Sequence, residues 1–284
     1  MTQGIDPIAI KQREHKSWTN VAPGWRKHDD FLVKAAGAVN ERMIALGGIK
    51  AGNRVLDIAC GTGEPALAIA KVVGHSGKVV ATDFVQEMHD FAKEKAERQG
   101  LMNVEFLMVD GEEIDFVDKS FDAVTNRWGL IYMPDPLGAM RRAHRVLKDG
   151  ARVVVATWSP PPENPWASVA LGVLKQYVDM PTPPPGMPGL FSFADEERLK
   201  SVFEEAGFKN IVIERVKIYM ADHDTGMEYF TYIRELAGPI ANFYAQVPDD
   251  KKALVDQEIA KKAEEVGGGR AKLQGISLVA VGTK

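Results

Sequence analysis

Continuous apolar runs alternate with helical stripes through the middle of the chain. Val55-Leu56, Val79-Val80-Ala81 and Val153-Val154-Val155 are short and uninterrupted, as strands covered on both faces require. The pattern predicts strands over 54–59, 78–82, 104–109, 121–126 and 151–158, with helices over 65–73, 86–99 and 136–147 between them. Strand–helix alternation implies an α/β fold, a Rossmann-like doubly wound sheet, mostly parallel with helices on both faces. Ligands of such sheets lie at the carboxyl ends of the strands.

The flanks read differently. Residues 5–48 carry two helical patterns, the second placing Phe31, Leu32, Ala35, Ala36, Val39, Met43 and Leu46 near helical spacing over 29–46, with Gly47-Gly48 as its stop. The preceding Trp18–Trp25 segment, with Pro23-Gly24, reads as turn-rich. Beyond Trp158 the chain is proline-rich to about residue 189, with one helix expected over 165–178. A helix over 194–206, a strand over 210–219, an insertion over 221–274 with helical parts at 227–244 and 249–265, and a last strand over 275–283 complete the pattern.

A length of 284 residues suits one large domain, or one domain with a substantial insertion. A net charge of -4 argues against a nucleic-acid partner. No run has the apolar length of a membrane span, so no integral membrane association is expected, and the polar N-terminus lacks the apolar core of a signal peptide. The single cysteine, Cys60, excludes an internal disulfide framework, and the expected compartment is the cytoplasm of a prokaryote. The histidines at 15, 28, 75, 89, 144 and 223 form no close metal-type pair, so no protein-bound metal is expected. The oligomeric state is left open.

The chemistry concentrates in Val55-Leu56-Asp57-Ile58-Ala59-Cys60-Gly61-Thr62-Gly63-Glu64-Pro65, a buried strand entering a glycine turn and a helix. Three readings compete: a turn without ligand, a dinucleotide site matching G-x-G-x-x-A with Asp83 as ribose carboxylate, and a site for S-adenosylmethionine. A pyrophosphate needs bare amides at the helix start. Glu64 already stands there and opposes a second anion, whereas the ammonium and sulfonium of S-adenosylmethionine suit acidic surroundings.

The stretch Asp57-x-Ala59-Cys60-Gly61-Thr62-Gly63 resembles motif I of class I S-adenosylmethionine-dependent methyltransferases. Asn126-Arg127-Trp128-Gly129-Leu130-Ile131-Tyr132-Met133-Pro134-Asp135-Pro136, followed by Arg145-Val146-Leu147-Lys148-Asp149-Gly150, is similar to the ubiquinone/menaquinone-biosynthesis type of small-molecule methyltransferase. The likeness covers roughly residues 40 to 160; Ala151 stands where that family commonly has a second glycine. It implies a seven-stranded sheet with an antiparallel last strand. The pattern along the chain suggests an organisation into an N-terminal helical cap (1–48), a cofactor-binding methyltransferase domain (49–220 and 275–284) and a helical substrate lid (221–274).

On that reading Gly61, Thr62 and Gly63 lie against the methionine part of the cofactor, with Asp57 and Ala59 near its ammonium. Asp83 accepts the ribose hydroxyls, Phe84 and Met88 flank the adenine, and Asp110 with Gly111 and Glu112 meets its amino edge. Asn126 and Arg127 end the fourth strand, where the transferable methyl is expected, and Trp128 walls that place. Methyl transfer is an in-line displacement in which approach and orientation dominate, and an oxygen or carbon nucleophile also loses a proton. Candidate bases are His28, Tyr132 and His223, with Asp29 a weaker choice; each has an alternative as a capping, packing or surface residue. The expected substrate is a small, partly apolar or aromatic molecule, held by Trp25, Trp128, Trp166, Phe191, Tyr229 and Arg234; the aromatic residues could equally pack the lid. A nicotinamide-dependent oxidoreductase and a non-catalytic nucleoside-binding protein are the competing functions.

Overall fold

A computed structural model describes residues 6–180, 184 and 186–284. The expectations for the start of the polar N-terminus (residues 1–5) and for part of the proline-rich run (181–183 and 185) lie outside the described residues. Three helices lead the chain: α1 (Pro7–Lys27), α2 (Asp29–Ala35) and α3 (Gly37–Gly47). Alternation follows, with β1 (Arg54–Ile58), α4 (Ala66–Val73), β2 (Lys78–Asp83), α5 (Gln86–Arg98), β3 (Val104–Met108), β4 (Phe121–Arg127), α6 (Pro136–Val146) and β5 (Leu147–Trp158). The remainder is α7 (Pro165–Leu174), α8 (Glu196–Glu205), β6 (Lys209–His223), α9 (Gly226–Leu236), α10 (Gly238–Ala245), α11 (Asp249–Gly267) and β7 (Ala271–Thr283).

The seven strands form one sheet in the order β3-β2-β1-β4-β5-β7-β6. Neighbours from β3 to β5 pair parallel, and β7 runs antiparallel between β5 and β6. The expected architecture is therefore the observed one, antiparallel last strand included. In β1, Val55 and Leu56 are fully buried and belong to apolar clusters on opposite sides of the sheet, which is why no polar alternation marks this strand. Helix starts follow local chemistry. Asp6 caps α1 ahead of Pro7, Asp135 caps α6 ahead of Pro136, and Thr225 with Glu228 makes a reciprocal capping box on α9.

Three departures from the sequence pattern bear on the site. The Trp18–Trp25 segment is not a turn but the C-terminal half of the 21-residue helix α1, which continues through Pro23. Proline forfeits one helical hydrogen bond, and tertiary contact overrides that cost. Trp25 Nε1 donates to the Leu236 carbonyl at 3.0 Å, and Gly24 brings the α1 backbone so near α9 that a Cβ there would stand 2.1 Å from the Glu235 carbonyl oxygen. The helix expected over 29–46 breaks at Ala36, just before Gly37, a poor residue for a helix interior. Finally, the β6–β7 ladder runs out to His223 opposite Ala271, so the inserted helices hang on a longer two-stranded ribbon than the pattern indicated. They pack against α1, α7 and β7.

Candidate active site

The carboxyl ends of β1 to β4 open into a crevice roofed by α1, enclosing about 940 Å³ of non-protein space, part of it open solvent. Its floor is the β1–α4 turn. Ala59, Gly61 and Gly63 have φ of 58°, 53° and 101°, which a glycine adopts at little cost. A Cβ on Gly61 would meet no atom within 4 Å, whereas one on Gly63 would press to 3.0 Å from Leu67 Cδ1. Gly61 thus keeps the crevice side clear, and Gly63 lets the turn close on α4. Asp83, at the end of β2, fixes this floor: Oδ2 accepts from the Gly61 amide at 2.8 Å and Oδ1 from the Val85 amide at 3.0 Å. Burial pushes its carboxyl above the usual range against those two hydrogen bonds.

One end of the crevice is apolar with an acidic edge. Phe84, Val85, Met88 and Val109 wall it. Asp110 accepts from the Glu112 amide at 2.9 Å, and Lys11 of α1 reaches across to Asp110 at 2.7 Å and Glu112 at 2.8 Å. Gly111 is required there, since a Cβ would stand 2.5 Å from Met133 Cε and 2.7 Å from Ile58 Cγ2.

The other end rests on buried charges. Lys95 bridges Asp29 at 2.9 Å and Glu64 at 3.4 Å; Asn40 donates to Glu64 at 3.1 Å and accepts from Arg127 Nη1 at 2.9 Å. Asp57 pairs in register with Thr125, whose hydroxyl donates to Oδ1 at 2.5 Å, while Oδ2 has no partner among the described residues. Burial pushes the Asp57 carboxyl up to about 7, opposed by the Thr125 hydrogen bond and the Arg127 charge. With Asp57 ionised, three carboxylates face two cations, so the cluster is complementary to a bound cation. The Arg127 guanidinium lies 4.7 Å from the Trp128 ring, and its Nε also lacks a partner among the described residues.

Lys11, Glu14, Trp18 and Trp25 share one face of α1, spaced by three, four and seven residues, and together roof the crevice. The Trp18 ring stands 5.0 Å from Tyr132 and 5.9 Å from Trp25. Glu14, Lys11 and Met133 carry no expectation from the sequence, which points to Trp18 only as the start of a substrate-holding segment (18–28). A helical reading of residues 7–27 would have aligned the α1 members, but Pro23-Gly24 hid it.

Of the expected residues, the crevice gathers Ala59, Gly61, Thr62, Asp83, Phe84, Met88, Asp110, Gly111, Glu112 and Arg127, with Trp25, Trp128 and Tyr132. Asp57, Gly63 and Asn126 stand behind its lining. Asn126 accepts from the Gly129 and Leu130 amides at 3.1 and 2.7 Å and donates to the Ile58 carbonyl at 3.0 Å, shaping the turn that presents Trp128.

The structure does not bring the remaining candidates to this crevice. His28 is held by Glu235 at 2.5 Å and packs on Tyr232; His223 packs on Phe31 and Tyr232, with its pKa lowered by burial. Trp166 donates to Asn164 at 3.2 Å and packs at a 50° tilt against Trp158, and Tyr229 donates to the Trp166 carbonyl at 2.9 Å; both are core. Phe191 packs on the same core. Arg234 lies between the Phe230 and Tyr244 rings, 4.5 Å from each, in a separate groove between α1 and the α9–α10 pair. Among the described residues, none of the 221–274 segment lines this crevice, and the apolar residues of α9 are buried in packing. Tyr132 is in place, but burial raises its pKa, so its phenol stays protonated and suits donation rather than proton removal.

The ubiE/COQ5 methyltransferase family matches this chain over residues 34–182. A demethylmenaquinone methyltransferase of Staphylococcus aureus (strain JH9) is 32% identical over 224 residues, covering 72% of this chain and 89% of the relative. A SAM-dependent methyltransferase from Aquifex aeolicus superposes with a TM-score of 0.50 at 24% identity, over 76% of this chain and 94% of that one. The YcgJ protein of Bacillus subtilis does so with 0.55 at 20% identity, over 86% and 97%. At these identities the two structures establish the shared sheet architecture. Among the described residues, no helix is long and apolar enough to cross a membrane.

Proposed function

The chain belongs to the ubiE/COQ5 methyltransferase family, and from that premise we propose that it methylates a small hydroxyaromatic acceptor of the quinol type, acting in the cytoplasm on a small molecule rather than a nucleic acid. It is an S-adenosylmethionine-dependent methyltransferase, which removes the oxidoreductase and the non-catalytic binder as readings. The observation that carries the acceptor class is the set of aromatic side chains lining the crevice, Trp18, Trp25, Trp128 and Tyr132, with the Arg127 guanidinium against the Trp128 ring. Flat rings stack on such walls, and an arginine pairs with a phenolic oxygen. The name of the Staphylococcus aureus relative points to the same class of acceptor.

The residues present fit the cofactor. Asp83 offers its remaining lone pairs to the ribose hydroxyls, Phe84 and Met88 sandwich the adenine, and Asp110 meets the amino edge. The buried Asp57 Oδ2 lacks a partner among the described residues, and a cofactor ammonium at the β1 end of the crevice would complement its charge. When bound, the cofactor supplies an activated methyl on a good leaving group; the protein binds, orients and excludes water.

Transfer of labelled methyl to a demethylated quinol, a simple phenol and a primary amine tests the reading. Label in the quinol and phenol supports it, and label in the amine alone overturns it.

Asp57 gives a pH prediction. Its folded-state pKa of about 7 lies above the ordinary 3.8, so the folded chain holds a proton that the unfolded chain releases. Stability from this group therefore falls as pH rises through that window. A cation bound nearby favours the carboxylate, so cofactor binding is expected to release close to one proton at about pH 6 and almost none at about pH 8.5. Calorimetry in buffers of different ionisation enthalpy measures the release, and Asp57→Asn is expected to abolish it.

A further inference from the structure

We propose that Glu14, on the crevice face of α1, is the base that takes the proton from the acceptor's hydroxyl group. The inference rests on the hydroxyaromatic reading above and adds the group that makes such an acceptor nucleophilic. The other acids of the crevice are engaged: Asp83 by two amides, Glu64 by Lys95 and Asn40, Asp110 and Glu112 by Lys11. Tyr132 is a protonated phenol. Glu14 alone combines a crevice position with a weak hold. Its partner is Arg13 at 3.2 Å, whose side chain is 58% exposed and solvent-screened, while that of Glu14 is 15% exposed.

The surroundings match the task. Trp18 follows one turn later on the same helix face, and Trp18 contacts Tyr132 across the crevice, so Glu14 sits at the edge of the aromatic wall. Its charge is felt at the Tyr132 phenol. Lys11 precedes it on α1 and is drawn to Asp110 and Glu112 instead. Burial pushes the Glu14 carboxyl above the usual range, against the pull of Arg13. A base shifted in that direction is better matched to a phenolic proton than an exposed glutamate.

In the step, a Glu14 oxygen accepts the hydroxyl proton and becomes a carboxylic acid. The electron pair left on the acceptor oxygen, or delocalised from it to the adjacent ring carbon, forms the bond to the methyl carbon. The methyl–sulfur bond breaks and its pair stays on sulfur, giving the neutral thioether of S-adenosylhomocysteine. Where the ring carbon is methylated, that carbon's own proton then passes to solvent and the carbonyl oxygen takes up a proton from solvent, restoring the aromatic hydroxyl, so one proton is released overall. Glu14 returns its proton to solvent.

The test uses the full chain and two acceptors, an unsubstituted hydroquinone and a nitro-substituted phenol already ionised at the assay pH. For Glu14→Gln, kcat on the hydroquinone is expected to fall about 10²–10⁴-fold, with loss of the acid limb of its pH profile. The ionised phenol is expected to be methylated within a few-fold of the native rate, with S-adenosylhomocysteine affinity unchanged. Glu14→Asp is expected to keep the acid limb at reduced rate. Unchanged kcat on the hydroquinone, equal losses on both acceptors, or a parallel loss of S-adenosylhomocysteine binding overturns the role. If the native protein binds S-adenosylhomocysteine yet methylates neither acceptor, the hydroxyaromatic reading itself fails, and Glu14's role falls with it.

Discussion

Replacing Asp83 by alanine is expected to weaken S-adenosylhomocysteine binding by about 100-fold or more, measured by calorimetry. The side chain is 6% exposed and accepts two backbone amides, one of them from Gly61 in the cofactor turn. Each hydrogen bond to a charged group is worth about 1.5–3 kcal/mol, and about 2.7 kcal/mol already corresponds to 100-fold. Water filling the vacated space recovers part of the loss at the amides, but not the orientation of Gly61 or the acceptors for the ribose. Asp83→Asn separates this account from simple loss of volume. An amide has only one accepting oxygen, so it leaves either the Gly61 or the Val85 amide facing an NH₂ group. It is expected to bind nearly as weakly as the alanine variant; native-like affinity in Asp83→Asn would contradict the account.

Removing residues 1–28 is expected to lower turnover by about 10³-fold or more while cofactor affinity falls by about 10-fold or less. The deletion takes Glu14, Trp18 and Trp25 from the crevice; from the cofactor end it takes Lys11, a partly exposed ion-pair partner, and the packing of His15 and Ala22 on Phe84, Val85 and Met88, while the Asp83–Gly61 floor stays in place. It also uncovers Ala22's neighbours Val85 and Met88, so a milder variant is informative. In Gly24→Val the new side chain would begin 2.1 Å from the Glu235 carbonyl, forcing α1 away from α9 without deleting any crevice residue. The same separation of effects is expected: kcat collapses and S-adenosylhomocysteine still binds. Native turnover in the truncated chain would remove α1 from the mechanism.

These two regions also differ in how far the sequence discloses them. The Asp83 half was legible because its parts are local. A buried strand, a glycine turn and the carboxylates at the next strand ends occupy fixed places in an α/β alternation, and the doubly covered strands are conspicuous as apolar runs. The α1 half was not legible, because its geometry depends on partners more than 200 residues away. Gly24 reads as a breaker until the Glu235 backbone is placed beside it, and Trp25 reads as a free aromatic until Leu236 accepts from its indole. His28 and His223 attracted attention by their chemistry, yet the β6–β7 ribbon and α9 give them packing and pairing partners away from the crevice. Arg234 is likewise consumed within the insertion, and Tyr229 in its hydrogen bond to the Trp166 carbonyl of α7.

Trp128 stacks on Trp158 with ring centroids 4.5 Å apart, Trp158 meets Trp166 at a 50° tilt with centroids 4.8 Å apart, and Trp18 and Trp25 line the crevice together with Trp128. These are all five indoles of the chain. Its near-ultraviolet emission therefore originates from a single locality, and the unlabelled protein carries its own optical gauge of whatever enters there.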